Sequence, residues 1–126
     1  MAAGNDNIDL DDPQIGQKIY PMMFNSDYII TVANTTETDE LLYCHDAGSN
    51  WGVTFVDMAA PGTNILTTDL ANRGSYSFLL GTSLSAPHVA GVIGLMYTAV
   101  REDFLSYHDT EHRNEKQSLW NDPIAR

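Results

Sequence analysis

Cysteine is almost absent: Cys44 is the single one in 126 residues, which excludes an intrachain disulfide framework. Basic residues are scarce too. Six Lys and Arg face 17 Asp and Glu, and a formal net charge of −11 argues against binding to nucleic acid or to an anionic membrane, both of which would repel the chain. Long apolar runs are missing. The longest, Val89 to Val100, contains Gly91, Gly94 and Thr98 and is too short to span a bilayer. The first residues lack the basic segment and apolar run of a signal peptide, so any export signal would lie upstream of Met1. No internal repeat and no Pro/Gly/Ser-rich linker divides the sequence. What is present is one domain's worth of chain with ordinary composition, 43% hydrophobic and 18% charged.

Asn5 to Gln17 is dense in carboxylates and turn formers and reads as a polar loop. Tyr28 to Ala33 is apolar, β-branched and of strand length, which predicts a strand buried on both faces. Leu41 to Tyr43 predicts a short strand, and Val53 to Met58 another, stopped by the turn at Ala60-Pro61-Gly62. Tyr76 to Leu80 predicts a third full strand, ended by Gly81. The period then changes. Val89, Val92, Ile93, Met96, Tyr97 and Val100 recur at steps of three and four, the buried face of a helix over 83–100, with Phe104 and Leu105 extending the stripe. Thr82 or Ser83 is its N-cap, and Pro87 lies near enough to the first turn to be tolerated. Beyond residue 105 the chain is a polar tail. Strands followed by a buried helix predict a layered α/β domain.

The sharpest chemistry lies at the strand-to-helix junction, Gly81-Thr82-Ser83-Leu84-Ser85-Ala86-Pro87-His88-Val89-Ala90-Gly91. A serine there carries its hydroxyl outside the helix. Its own N–H is one of the unpaired first-turn donors, which together with the helix dipole can stabilise a developing oxyanion. An isolated serine before an apolar helix reads as a cap and nothing more. The eleven-residue context decides otherwise.

GTSLSAPHVAG resembles the nucleophile motif of the subtilisin-like serine proteases, the subtilases, and three more stretches fit that family in order. Ala2-Ala3-Gly4-Asn5 is similar to the segment with the family's oxyanion-hole asparagine. Tyr20-Pro21 followed by Tyr28 to Ala33 is similar to a tyrosine-proline and strand stretch. Val56 to Gly62 resembles the strand that ends in APG. The resemblance covers about residues 2–105. It implies a three-layer α/β fold with a mostly parallel sheet, of which this chain is the C-terminal portion. Ser83 would be the acylating nucleophile and Asn5 the side-chain donor of the oxyanion hole, partnered by the Ser83 N–H. Thr82 would be auxiliary to that hole. Ala2 and Gly4 would wall the pocket for the side chain before the scissile bond, with Asp6 at its rim.

His88 is five residues after Ser83, more than one turn along the same helix, so it is not the catalytic base. His45, in a loop, and His108 and His112, in the tail, are not candidates either. In subtilases the aspartate and histidine precede the AAGN segment, so the resemblance puts both upstream of Met1. It implies a peptide or protein substrate, the upstream half of the same domain as partner, and an exported protein. No cofactor is needed for the chemistry, although relatives bind structural calcium, mostly through parts outside these residues. The run NDNIDLDD has carboxylates at odd spacing but lacks the central Gly and distal Glu of a calcium loop, so it reads as a solvated acidic loop and no metal site is assigned. Leu84 departs from the family's most frequent methionine, and the HDAGSN and MMFNSD loops depart as well. An esterase elbow is excluded, because G-x-S-x-G would need glycine where Ser85 stands. The alternative to an enzyme is a pseudoprotease or a truncated interaction fragment.

Overall fold

The computed structural model describes residues 1–16, 18–24, 26–44 and 48–99. The chain divides into two compact units, Met1–Val92 and Ile93–Arg126, and of the second only the last turns of a helix, 93–99, are described. His45, His108, His112, Val100, Phe104, Leu105 and the polar tail lie outside the described residues.

Strand β1, Val32–Thr35, pairs in parallel with β2, Met58–Pro61, in the register Val32↔Met58 to Thr35↔Pro61. On the other side of β1 the chain start adds a parallel bridge, Ala2↔Val32, with the Ala3 N–H donating to the Val32 carbonyl at 3.0 Å. The core gathers along this strip. Ala3, Thr31, Val32, Ala33 and Asn34 are buried, with Leu10, Met23, Ala60 and Val89 around them. Strand β3, Ile65–Thr68, and strand β4, Tyr76–Leu79, form an antiparallel hairpin joined through a 3₁₀ turn at Ala71–Arg73. Helix α1, Thr82–Ala99, follows β4 directly. The α/β class is as the sequence pattern predicts, the parallel pair β1–β2 is as the resemblance implies, and the helix begins one residue early.

The strand boundaries differ from expectation, for one physical reason. Carboxylates take backbone donors that a sheet would otherwise use. The Thr31 N–H donates to Asp57 Oδ2 at 2.7 Å, so β1 starts at Val32; Tyr28 is 70% exposed rather than buried. The Val53 and Thr54 N–H groups both donate to Asp11 Oδ2, so 53–57 is not extended ladder and β2 starts only at Met58. Of Leu41 to Tyr43, Leu41 alone bridges, to Thr35. Strand β3 was not predicted. Its four residues are tied to β4 by a long turn without the Asn-Gly or Asp-Gly signal of a tight hairpin.

The acidic loop is less solvated than its composition suggests. Asp9 Oδ1 accepts from the Asp11 N–H, and Asp12 Oδ1 caps the 3₁₀ turn Pro13–Ile15 through the Gln14 N–H. Asp9 pairs with Trp51, and Leu10 is buried.

The expected buried face of α1 is corrected too. Only Thr82, Ser85 and Val89 are buried, while Val92, Met96 and Tyr97 are 56%, 61% and 63% exposed. A helix apolar on nearly every side needs neighbours on every side, and among the described residues the buried positions of α1 fall in its first turns. Gly62 makes that contact. A Cβ on it would run into Ser85 Oγ and come within 2.6 Å of Asn34 Oδ1, and its carbonyl accepts the Gly81 N–H at 2.8 Å. The turn after β2 thereby fixes where α1 begins. Among the described residues no helix is long and apolar enough to cross a membrane.

Candidate active site

The first turn of α1 carries the site. Ser83 is exposed, and its hydroxyl has no hydrogen-bond partner among the described residues. Its N–H belongs to the first turn, where an α-helix offers no internal acceptor. The preceding N–H, of Thr82, is satisfied from far away in sequence: it donates to Asn5 Oδ1 at 2.9 Å. The Thr82 hydroxyl donates to the same oxygen at 3.0 Å and accepts the Gly4 N–H at 3.1 Å. Asn5 therefore caps α1 from a separate loop, and Thr82, wholly buried, ties that loop to the helix.

These bonds fix which way the Asn5 amide faces. A backbone N–H can only donate, so the atom it meets must be the amide oxygen. The Asn5 Nδ2 group is left pointing away from Thr82, without a partner among the described residues. The exposed Ser83 hydroxyl thus shares the first turn of α1 with an unpaired N–H, one residue along from the Thr82 that orients the Asn5 amide. Such an arrangement can hold negative charge developing on an oxygen.

Of the other predicted site residues, Gly4 is at the centre of this network, with φ at 100°, which only glycine adopts without strain. Ala2 is half-buried and engaged in the strand bridge to Val32. Asp6 is exposed, and its Oδ2 accepts from Asn50 Nδ2 at 3.1 Å. The His88 ring is turned to its own helix, its Nδ1–H donating to the Leu84 carbonyl at 2.7 Å. Among the described residues no three His, Cys, Asp or Glu side chains form a group that could hold a metal. A cleft of about 580 Å³, lined by residues including Tyr20, Met22, Phe24, Ile30 and Asp57, contains none of Asn5, Thr82 or Ser83.

A profile of the subtilase family matches residues 1–120. The chain belongs to the subtilase family. Subtilisin-like protease 3 of Saccharomyces cerevisiae is 38% identical over 95 residues, covering 74% of this chain and 17% of that protein. The Major intracellular serine protease of Bacillus subtilis is 35% identical over 103 residues, covering 82% of this chain and 29% of its own length. Among solved structures, the epidermin leader peptide processing serine protease of Staphylococcus aureus has a TM-score of 0.59 and 27% identity over 94% of this chain and 32% of that one. The subtilase cytotoxin SubAB assembly gives a TM-score of 0.61 and 31% identity over 72% of this chain and 32% of its match. The chain therefore spans about a third or less of the subtilases it matches.

One participant escaped the sequence reading. Asn50 is completely buried and holds the Asn5 loop through its side chain. The only signal was an asparagine between Ser49 and Trp51-Gly52, in a loop read as family variation.

Proposed function

We propose that this chain supplies the nucleophile and oxyanion hole of a subtilisin-like serine endopeptidase. Ser83 Oγ attacks a peptide carbonyl, passing its proton to a histidine contributed, with its orienting aspartate, by the upstream part of the same domain. The tetrahedral oxyanion accepts hydrogen bonds from Asn5 Nδ2 and the Ser83 N–H. Collapse expels the amine, protonated by the histidine, and water then hydrolyses the ester on Ser83. Thr82 holds the Asn5 amide in register. Ala2 and Gly4 wall the pocket for the side chain preceding the scissile bond, and Asp6 stands at its rim. The substrate is a peptide or protein, and no cofactor takes part in these steps.

The observation that supports this reading best is the double hydrogen bond from Thr82 to Asn5 Oδ1, which orients the amide from the residue next to Ser83 and leaves its nitrogen turned away from Thr82. The test uses the complete protease, this chain joined to its upstream part. A fluorophosphonate should label Ser83, and Ser83→Ala should abolish labelling and proteolysis together. Labelling of another serine, with activity kept in Ser83→Ala, overturns the assignment in favour of a non-catalytic role for this site.

A further inference from the structure

Asn50 has no exposed surface, and its side chain uses its whole hydrogen-bonding capacity on the loop that carries Asn5. Its Nδ2 donates to the Ala3 carbonyl at 3.0 Å and to Asp6 Oδ2 at 3.1 Å. Its Oδ1 accepts from the Asp6 N–H at 2.9 Å and the Ile8 N–H at 3.2 Å. Its own N–H donates to the Gly4 carbonyl at 2.9 Å. The five bonds fall on both sides of Asn5 and none falls on Asn5 itself. A Cβ on Gly4 would collide with Asn50 Nδ2, so the loop is moulded directly onto this amide. Asn50 is held in turn. Ser49, also fully buried, donates its hydroxyl to the Asn50 carbonyl at 2.9 Å and accepts the Asn34 N–H of β1 at 2.9 Å.

Thr82 fixes the end of the Asn5 side chain; something else must fix the backbone from which that side chain springs. We infer that Asn50 is the positioning residue that sets the backbone of the Asn5 loop, and through it the aim of the Asn5 amide at the reacting oxygen. The inference rests on the reading of Asn5 as an oxyanion donor. Asn50 is wholly buried and its hydrogen bonds go to the Asn5 loop and Ser49, so the effect inferred for it is one of geometry. Displacement of about 1 Å at a reacting centre costs up to about 10²-fold in rate.

The experiment compares Asn50→Asp, Asn50→Ala, Asn5→Ala and the Asn50→Ala/Asn5→Ala double variant in the complete protease, each titrated with a fluorophosphonate so that rates refer to folded, competent molecules. Asn50→Asp preserves shape and both acceptor bonds, but replaces the donor facing Asp6 and the Ala3 carbonyl with a carboxylate oxygen, of which Asp6→Asn can restore only the first contact. The expected result is a kcat lowered by about tenfold or more, with KM within about twofold, and partial recovery when Asp6→Asn restores a donor across that contact. Asn50→Ala should cost nothing further once Asn5 is already alanine, because there is no amide left to aim. Should Asn50→Ala fail to fold, Asn50→Asp and its Asp6→Asn rescue decide alone. A titrated kcat unchanged in Asn50→Asp, or a loss without rescue, overturns the inference while leaving the protease reading intact. Failure of the parent enzyme to label at Ser83 overturns both.

Discussion

The Asn5 carboxamide oxygen accepts two hydrogen bonds from Thr82, one from the N–H at 2.9 Å and one from the hydroxyl at 3.0 Å. One residue thus uses both its backbone and its side chain to orient another, 77 positions away, that sits on a different element. The Thr82 hydroxyl spends its acceptor on the Gly4 N–H, so Asn5 and the residue before it are clamped to the start of the helix that bears Ser83.

Asn5→Ala in the complete protease is therefore expected to lower kcat far more than it raises KM, because in the proposed reaction the amide serves charge that exists only in the transition state. Removing such a donor costs about 10²–10³ in kcat, a magnitude known from subtilisin itself. A change confined to KM would mean that Asn5 only shapes the pocket.

Thr82→Val separates the clamp from the donor. The backbone bond to Asn5 survives, the hydroxyl bond is lost and the Gly4 N–H is left unpaired, at a cost of about 1–3 kcal/mol of stability. Both denaturant midpoint and kcat should fall, and Thr82→Ser, which keeps the hydroxyl, should retain most of each. A Thr82→Val variant that keeps both, with Thr82→Ser losing them, would show that the methyl group matters here and the hydroxyl does not.

Gly62→Ala tests the seat of the helix. The added Cβ would meet Ser85 Oγ, Asn34 Oδ1 and, at 2.8 Å, the Gly81 carbonyl, two of which belong to the first turn of α1 or its approach. Crowding of this kind costs about 1–3 kcal/mol. The urea midpoint should fall by a corresponding amount, and an unchanged midpoint would mean that the turn after β2 does not hold α1 in place.

How much of this was legible follows from the range of the interactions. GTSLSAPHVAG and AAGN are local strings, and the family could be read from them by resemblance; the roles proposed for Ser83 and Asn5 rest on the same strings. The extent of α1 was legible for the same reason, since periodicity is local. The strand starts were not. They depend on Asp57 reaching the Thr31 N–H and on Asp11 reaching Val53 and Thr54, pairings 26 and more positions apart that leave no local pattern. Asn50 was invisible on the same ground, because every group its side chain binds lies 42 to 47 positions before it. The helix face was legible as apolar, but nothing local says what covers it.

Leu84, half-buried beside Ser83, gives a further expectation. A methionine next to a nucleophilic serine is open to sulfoxide formation, and leucine is not. The complete protease should outlast its Leu84→Met variant in peroxide. Equal loss of activity in both would place the damage elsewhere, at Met58 or Met96, which are 46% and 61% exposed.

The chain of 126 residues taken alone is expected to hydrolyse no peptide. Ser83 has no hydrogen-bonded base among the described residues, and the His88 ring is committed to the Leu84 carbonyl. A serine hydroxyl without a positioned base is a weak nucleophile at neutral pH. Its packing points the same way. Val92, Leu95, Met96 and Tyr97 on α1 are each more than half exposed, as are Leu66, Tyr76 and Phe78 on the hairpin. Apolar surface of that extent is costly in water and invites association, while a net charge of −11 favours dispersal without covering that surface. Purified chain should bind a hydrophobic dye strongly, and co-expression with the upstream part of the domain should quench the dye and bring Ser83-dependent turnover with it. Peptide hydrolysis by the isolated chain, lost in Ser83→Ala, would overturn this and require a base among its own four histidines.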